Sequence, residues 1–403
     1  MAELADALDL ESSGRPWGFK SLSPDHLNIR PKGLFCIIGL YMKKRKDDLW
    51  GYSLIIAVVF IVFIMVISND TKKIETKTLN VNRLLLKEFF VIEKDNIVTI
   101  RIEDDGYDIY VPSRAGYRYG PSIIYYEDGS MDAWFASNGN GRQWDWITYR
   151  HFDGNDWSLE EIVLKPTENS KDHYSTCDPG VIYFNDYYYI GYTSTENAKN
   201  GGVENCGYVA RSKNPDGPFE KWNGNGWGGK PEPIIIYDED DSQWGAGELS
   251  FVVVGDKLFC YYSWISANEN STKLAVADLV EDWPLTLKQK GVAFARVSGQ
   301  DSCDVIYAEE YEKFLAFCVE SRFLDTSCLA VYESDDGLNF EQVDRIKDIH
   351  KYSHNMGISK NLDGHVNMDD DLIIGYAYGN SAFNAWGRWS TKMQSVKLKL
   401  LER

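Results

Sequence analysis

Three absences narrow the reading of this chain of 403 residues. None of its seven cysteines forms a CxxC pair or sits with histidine at zinc spacing, so a structural zinc module is excluded. Basic charge is short: 42 Lys and Arg face 61 Asp and Glu, a net −19 at pH 7. That balance leaves no basic face for a phosphate backbone and excludes nucleic acid as a partner; a neutral ligand such as a sugar is compatible with it. Long helix-favouring runs are also few. What is present instead, 33 Gly, 25 Tyr and 13 Trp, describes short strands joined by Gly, Asn and Asp turns, hence an all-β protein. Buried free thiols are the expected state of the cysteines, with a Cys318–Cys328 bridge across a hairpin left open for an oxidising compartment.

One apolar run stands out. Residues 54–67 (LIIAVVFIVFIMVI) carry no charge, and with their uncharged flanks they reach the length of a bilayer-spanning helix. Lys43, Lys44, Arg45 and Lys46 precede the run, and such a basic flank stays on the cytoplasmic side. The expected layout is a cytosolic tail over 1–49, a single transmembrane signal anchor over 50–69, a linker with a first strand pair near 84–110, and an extracytoplasmic domain over 113–403. A cleaved signal peptide is the competing reading. The residues after the run, Val66 to Asp70, lack a small-x-small cleavage site, which favours the anchor.

Within the domain a unit recurs: a small or acidic pair, an apolar run, a turn, then a Tyr-rich strand. It begins near Tyr119, Cys177, Gly247, Cys303 and His354. The spacing of about 50 to 70 residues is the length of a four-stranded propeller blade. Five units predict a five-bladed β-propeller preceded by one N-terminal transmembrane helix. The first strand of each blade lines the central channel, so this geometry gathers Asp178, Glu248, Asp304 and His354 at one axis. Any single acidic residue at a strand start reads equally as a turn cap. Three in consecutive repeats read as carboxylates that shift one another's pKa, one held protonated as acid and another ionised as base, the arrangement that glycosidic cleavage requires.

At these residues the chain resembles glycoside hydrolase family 43 and its relatives, the arabinanase, xylosidase, levansucrase and invertase superfamily, from about Arg114 to the C-terminus. The motifs are DPGVIYFNDYYY at 178–189, ARSKNPDGPF at 210–219 and GAGELS at 245–250. The resemblance implies a glycoside hydrolase acting by inversion, with Asp178 as general base. It also departs from the family, whose successive blades carry Asp, Asp and Glu. By residue type Glu248 is then the acid and Asp304 the pKa modulator, and these two roles are open to exchange. No cofactor is implied as required. At His354 and Asn355 a structural calcium and plain hydrogen bonding to the carboxylates are equally compatible. Arg114, Arg118, Trp146, Trp244, His354 and Asn355 are the candidate carbohydrate contacts, each aromatic being open to a purely interblade role, and the two arginines hint at an acidic sugar. Competing functions are a non-catalytic glycan-binding propeller, a sialidase-like hydrolase and a phosphorylase.

Overall fold

The computed structural model describes residues 96–111, 116–140, 143–196, 202–297, 299–379 and 387–401. They lie in the compact unit Ile92–Arg403. The expected tail and span at 1–69 lie outside the described residues. Among the described residues there is no α-helix, and no helix long and apolar enough to cross a membrane.

Two strands, β1 (Ile97–Ile102) and β2 (Tyr107–Tyr110), precede the blades. Blade one is β3 (Arg118–Tyr125), β4 (Met131–Asn138), β5 (Asp145–Phe152) and β6 (Glu161–Leu164). Blade two is β7 (Cys177–Phe184), β8 (Tyr187–Ser194), β9 (Cys206–Ser212) and the short β10 (Glu220–Lys221). Blade three is β11 (Gly245–Val254), β12 (Lys257–Ile265), β13 (Asn270–Asp278) and β14 (Lys288–Ala295). Blade four is β15 (Cys303–Ala308), β16 (Lys313–Glu320), β17 (Cys328–Ser334) and β18 (Glu341–Ile346). The chain then adds β19 (Ser353–Lys360), β20 (His365–Val366), β21 (Leu372–Tyr378) and β22 (Ser390–Leu401). Blade five takes β19, β21 and β22 and completes itself with β1, where Ile97 lies opposite Leu401 and Ile102 opposite Val396. The inner strands β3, β7, β11, β15 and β19 follow one another around a closed ring, and β19 also pairs in parallel with β3. The result is the five-bladed propeller that the repeats predict. The strand pair expected near 84–110 differs in detail: β1 and β2 do not pair with each other, and both add to β22.

A blade buries both faces, so its strands are apolar on both sides of the pleat. In β3, Ile123 packs toward blade five with Ala133, Phe135 and Met393. Its neighbour Ile124 faces blade two with Trp134, Val181 and Tyr192. The same division holds in β15, where Val305 joins blade three and Ile306 joins blade five. Inner strands also meet without side chains between them. A Cβ on Gly180 would lie 1.8 Å from the carbonyl oxygen of Leu249, and one on Gly357 1.8 Å from that of Pro121, so only glycine fits either crossing.

Register decides the cysteines. Cys318 lies opposite Ala330 on one side and Cys303 on the other, while Cys328 lies opposite Glu320. The Cys318–Cys328 bridge is therefore not formed, and the six described cysteines are free.

Ring closure has a polar anchor. Glu333 accepts from the backbone N–H of Val98 at 2.8 Å and from Lys313 Nζ at 2.5 Å, with Lys313 and Glu333 both buried. Removing one partner of a buried pair strands the other charge. Lys313→Met is expected to destabilise the domain by about 3–5 kcal/mol in urea unfolding, with part of the loss restored when Glu333→Gln is added.

Candidate active site

Four of the five inner strands enter the axis through a bulge. The register skips at Gly120–Pro121, at Asp178–Pro179, at Glu248–Leu249 and at Asn355. The first residue of each is left-handed, with φ of 54° at Gly120, 51° at Asp178, 52° at Glu248 and 41° at Asn355. Such a conformation costs a non-glycine residue roughly 1–3 kcal/mol, and it persists where the surroundings over-determine it, often at functional sites. Here the bulge re-aims each side chain, and Gly120, Asp178, Glu248 and Asn355 all line one axial cleft.

The inner strand of blade four has no bulge. Cys303 and Asp304 pair in unbroken register with Cys318 and Phe317, although the Cys-Asp pair reads like the one at 177 and 178. Asp304 touches the cleft, but its oxygens are occupied. Oδ1 accepts from Ser250 Oγ at 2.7 Å, Lys360 Nζ at 2.8 Å and the Val305 N–H at 3.0 Å, and Oδ2 accepts from the Ile358 N–H at 3.0 Å. The carboxylate that acts on Glu248 is instead Asp301, in the loop before β15.

Burial is the largest influence on all three carboxyls. It pushes Asp178 well above the ordinary carboxylate range, and the charge of Glu248 adds to the effect. Glu248 is raised by burial and then by Asp301, against the pull of Arg296 and a hydrogen bond from Ser263. Asp301 is also buried, yet the Arg322 guanidinium and the N–H groups of Asn355 and Ser302 hold it below the ordinary range. Arg322 Nη1 is 2.9 Å from Asp301 Oδ1, and the Asn355 N–H donates to Oδ2 at 2.8 Å. Arg296 stands at 3.8 Å from Glu248 Oε2, its side chain only 1% exposed. Its Nε donates to Asn270, while its Nη2 is buried with no hydrogen-bond partner.

His354 is fully buried between Trp389, Phe323 and Tyr119. Burial lowers its pKa to about 4, so the ring is neutral at pH 7. Its Nδ1 lies 2.8 Å from Asn355 Oδ1, which can only accept, so the proton sits on Nδ1. Among the described residues no group of three or more His, Cys, Asp or Glu side chains is placed to hold a metal ion.

The other candidates separate. Arg118 is gripped by Glu160 at 2.5 Å and also donates to Asn138, so its guanidinium is held within blade one. Trp146 donates to Gln143 and carries Lys165 over its ring. Trp244 is half-buried near the entry to β11, and neither tryptophan lines the cleft. Arg114 lies outside the described residues. Arg296, Asp301 and Arg322 lie outside the strand repeats, in the loops after β14, before β15 and after β16, where strand period does not place a side chain.

The fold is similar to several solved structures. A family 117 glycoside hydrolase of the marine bacterium Zobellia galactanivorans shares 15% identity over 76% of this chain and 91% of its own, with a TM-score of 0.53. A thermostable family-43 glycoside hydrolase shares 15% over 74% and 97%, with a TM-score of 0.51. An α-L-arabinofuranosidase of Podospora anserina, in complex with cellotriose, shares 11% over 72% and 95%, with a TM-score of 0.52. No family model and no curated protein matches the sequence.

A carboxyl whose pKa is raised by folding stabilises the fold below its unfolded pKa, and that contribution is lost as pH rises through the folded value. Asp178→Asn keeps a residue that tolerates the left-handed bulge and removes the ionisable group. Its melting temperature is expected to exceed the parent's by a few degrees at pH 7 to 8, with the gap closing toward pH 4. Differential scanning calorimetry across that range checks it.

Proposed function

We propose that this chain is a glycoside hydrolase that cleaves glycosidic bonds of oligo- or polysaccharides by single-step inversion in the axial cleft. The observation that carries the reading is the pair Asp178 and Glu248, two desolvated carboxyls on neighbouring bulges, with the ionised Asp301 beside them. Two such groups titrate as a unit and hold one proton between them over a range of pH. With the proton on Glu248, the largest neighbouring charge on Asp178 disappears and Asp178 ionises. Asp178 then takes a proton from water as that water attacks the anomeric carbon, and Glu248 gives its proton to the departing oxygen. Asp301, rather than Asp304, is the modulator, because its charge keeps the proton on Glu248. The likeness in fold to two glycoside hydrolases and an α-L-arabinofuranosidase supports the same reading. The basic run at 43–46 and the apolar run at 54–67 support an extracytoplasmic position for the domain, held by one helix over 50–69.

Hydrolysis of a panel of nitrophenyl glycosides and polysaccharides by the full chain tests the reading. Asp178→Asn and Glu248→Gln are each expected to lower kcat/KM by about 10²–10⁴-fold. Wild-type inactivity throughout, with glycan binding that neither substitution alters, would mean a binding propeller with structural carboxylates. A separate expectation concerns Asp301→Asn. Loss of its negative charge lowers the pKa of Glu248, so the alkaline limb of the pH–kcat/KM profile should move to lower pH.

A further inference from the structure

One carboxyl close to the cleft has no part in the steps above. Asp145 opens β5 on blade one and is 9% exposed. Its Oδ1 accepts from Tyr117 Oη at 2.5 Å and its Oδ2 from Tyr119 Oη at 3.3 Å. Its backbone oxygen accepts from the Thr176 N–H at 2.9 Å, two residues ahead of Asp178. Tyr119 leads directly into the bulge at Gly120, where a Cβ would stand 3.9 Å from Asp178 Oδ1. Two phenols and one backbone link thus fix a carboxyl of blade one close to the carboxyl of blade two.

We propose that Asp145 is a positioning residue, a second carboxylate whose charge opposes ionisation of Asp178 and so sets the lower pH boundary of activity. The inference rests on the glycosidase reading. Burial and its phenolic partners place the pKa of Asp145 at about 6, so its charge changes within the range where the site works. The charged and titratable groups facing Asp178 are Glu248 from blade three, Cys177 from its own strand, and Asp145, Tyr117 and Tyr119 from blade one. Those facing Asp145 are Tyr117 and Tyr119, both donating to it, and the Cys177 thiol. Burial and its carboxylate neighbours push that thiol up, so it is neutral. Asp145 thus acts on Asp178 much as Asp301 acts on Glu248. Each carboxyl of the pair has a further carboxylate beside it, and the balance between the two decides which of the pair holds the proton.

The experiment is the pH dependence of kcat/KM for the full chain on whichever glycoside of the panel it hydrolyses, beside Asp145→Asn and Tyr117→Phe. Asp145→Asn removes a negative charge, lowers the pKa of Asp178, and should move the acidic limb down by about one pH unit. The alkaline limb should stay in place. Tyr117→Phe removes a hydrogen bond that favours the charged form of Asp145. Asp145 then stays neutral over more of the range, and the acidic limb should move in the same direction by less. This second variant keeps the test decisive if Asp145→Asn folds poorly. A fall in kcat with both limbs unmoved in the folded variants would make Asp145 purely structural and overturn the inference. A wild type that hydrolyses nothing would overturn the glycosidase reading itself, a different outcome from an active enzyme with an unmoved limb.

Discussion

The carboxylate of Asp304 accepts from Ser250 on blade three, from Lys360 on blade five and from the backbone of Ile358 beside it, while belonging to blade four. Three blades are held by one side chain at the place where all five converge. Lys360 has no exposed surface, so its charge has no water as an alternative partner, and loss of Asp304 would leave it desolvated at the axis. Gly357 packs against the same carboxylate, where a Cβ would stand 3.6 Å from Asp304 Oδ2. The axis therefore carries two kinds of carboxyl. Asp304 is fully paired and holds the ring together. Among the described residues no cation forms an ion pair with Asp178, and Glu248 has only Arg296, at 3.8 Å.

That difference follows from the backbone. A bulge inserts an extra residue, turns the next side chain and leaves it without the partner that regular pairing would bring. Asp178 and Glu248 each stand at a bulge, and Asp304 stands in regular register. The strain of a left-handed Asp and a left-handed Glu is tolerated because blades on either side clamp the inner strands through clusters such as Val181 with Ile124 and Leu249 with Ile182. Stability contributed by interblade packing offsets a local conformation that is unfavourable in itself.

Much of this was legible in the amino-acid order. The recurrence of an acidic or small residue before an apolar run and a Tyr-rich strand marks the blades, because each blade repeats one packing problem. Asp178 and Glu248 are visible for the same reason. Asp304 misleads because Cys303–Asp304 copies the local pattern of Cys177–Asp178, and nothing local to either pair tells a bulge from an unbroken ladder. That depends on what β16 presents opposite. Arg118 misleads in another way: its partner Glu160 lies 42 residues on, and no periodicity connects them. Asp301, Arg322 and Arg296 act on the buried carboxyls from loops, where side-chain direction follows from tertiary contacts and not from strand period.

The pairing of β1 with β22 has a consequence for how the protein is made. The first of the described strands is completed by the last of them, so blade five cannot close until β22 has left the ribosome. At roughly 5–20 residues per second, β1 waits tens of seconds with its hydrogen-bonding edge open. Val98 and Ile100, fully or almost fully buried in the finished ring, are exposed for that interval. A growing chain of this design has a stage in which four blades have been synthesised and a ready edge is presented to any other nascent strand. Shielding of that edge before closure therefore bears on how much chain reaches the closed ring, alongside the stability of the ring itself.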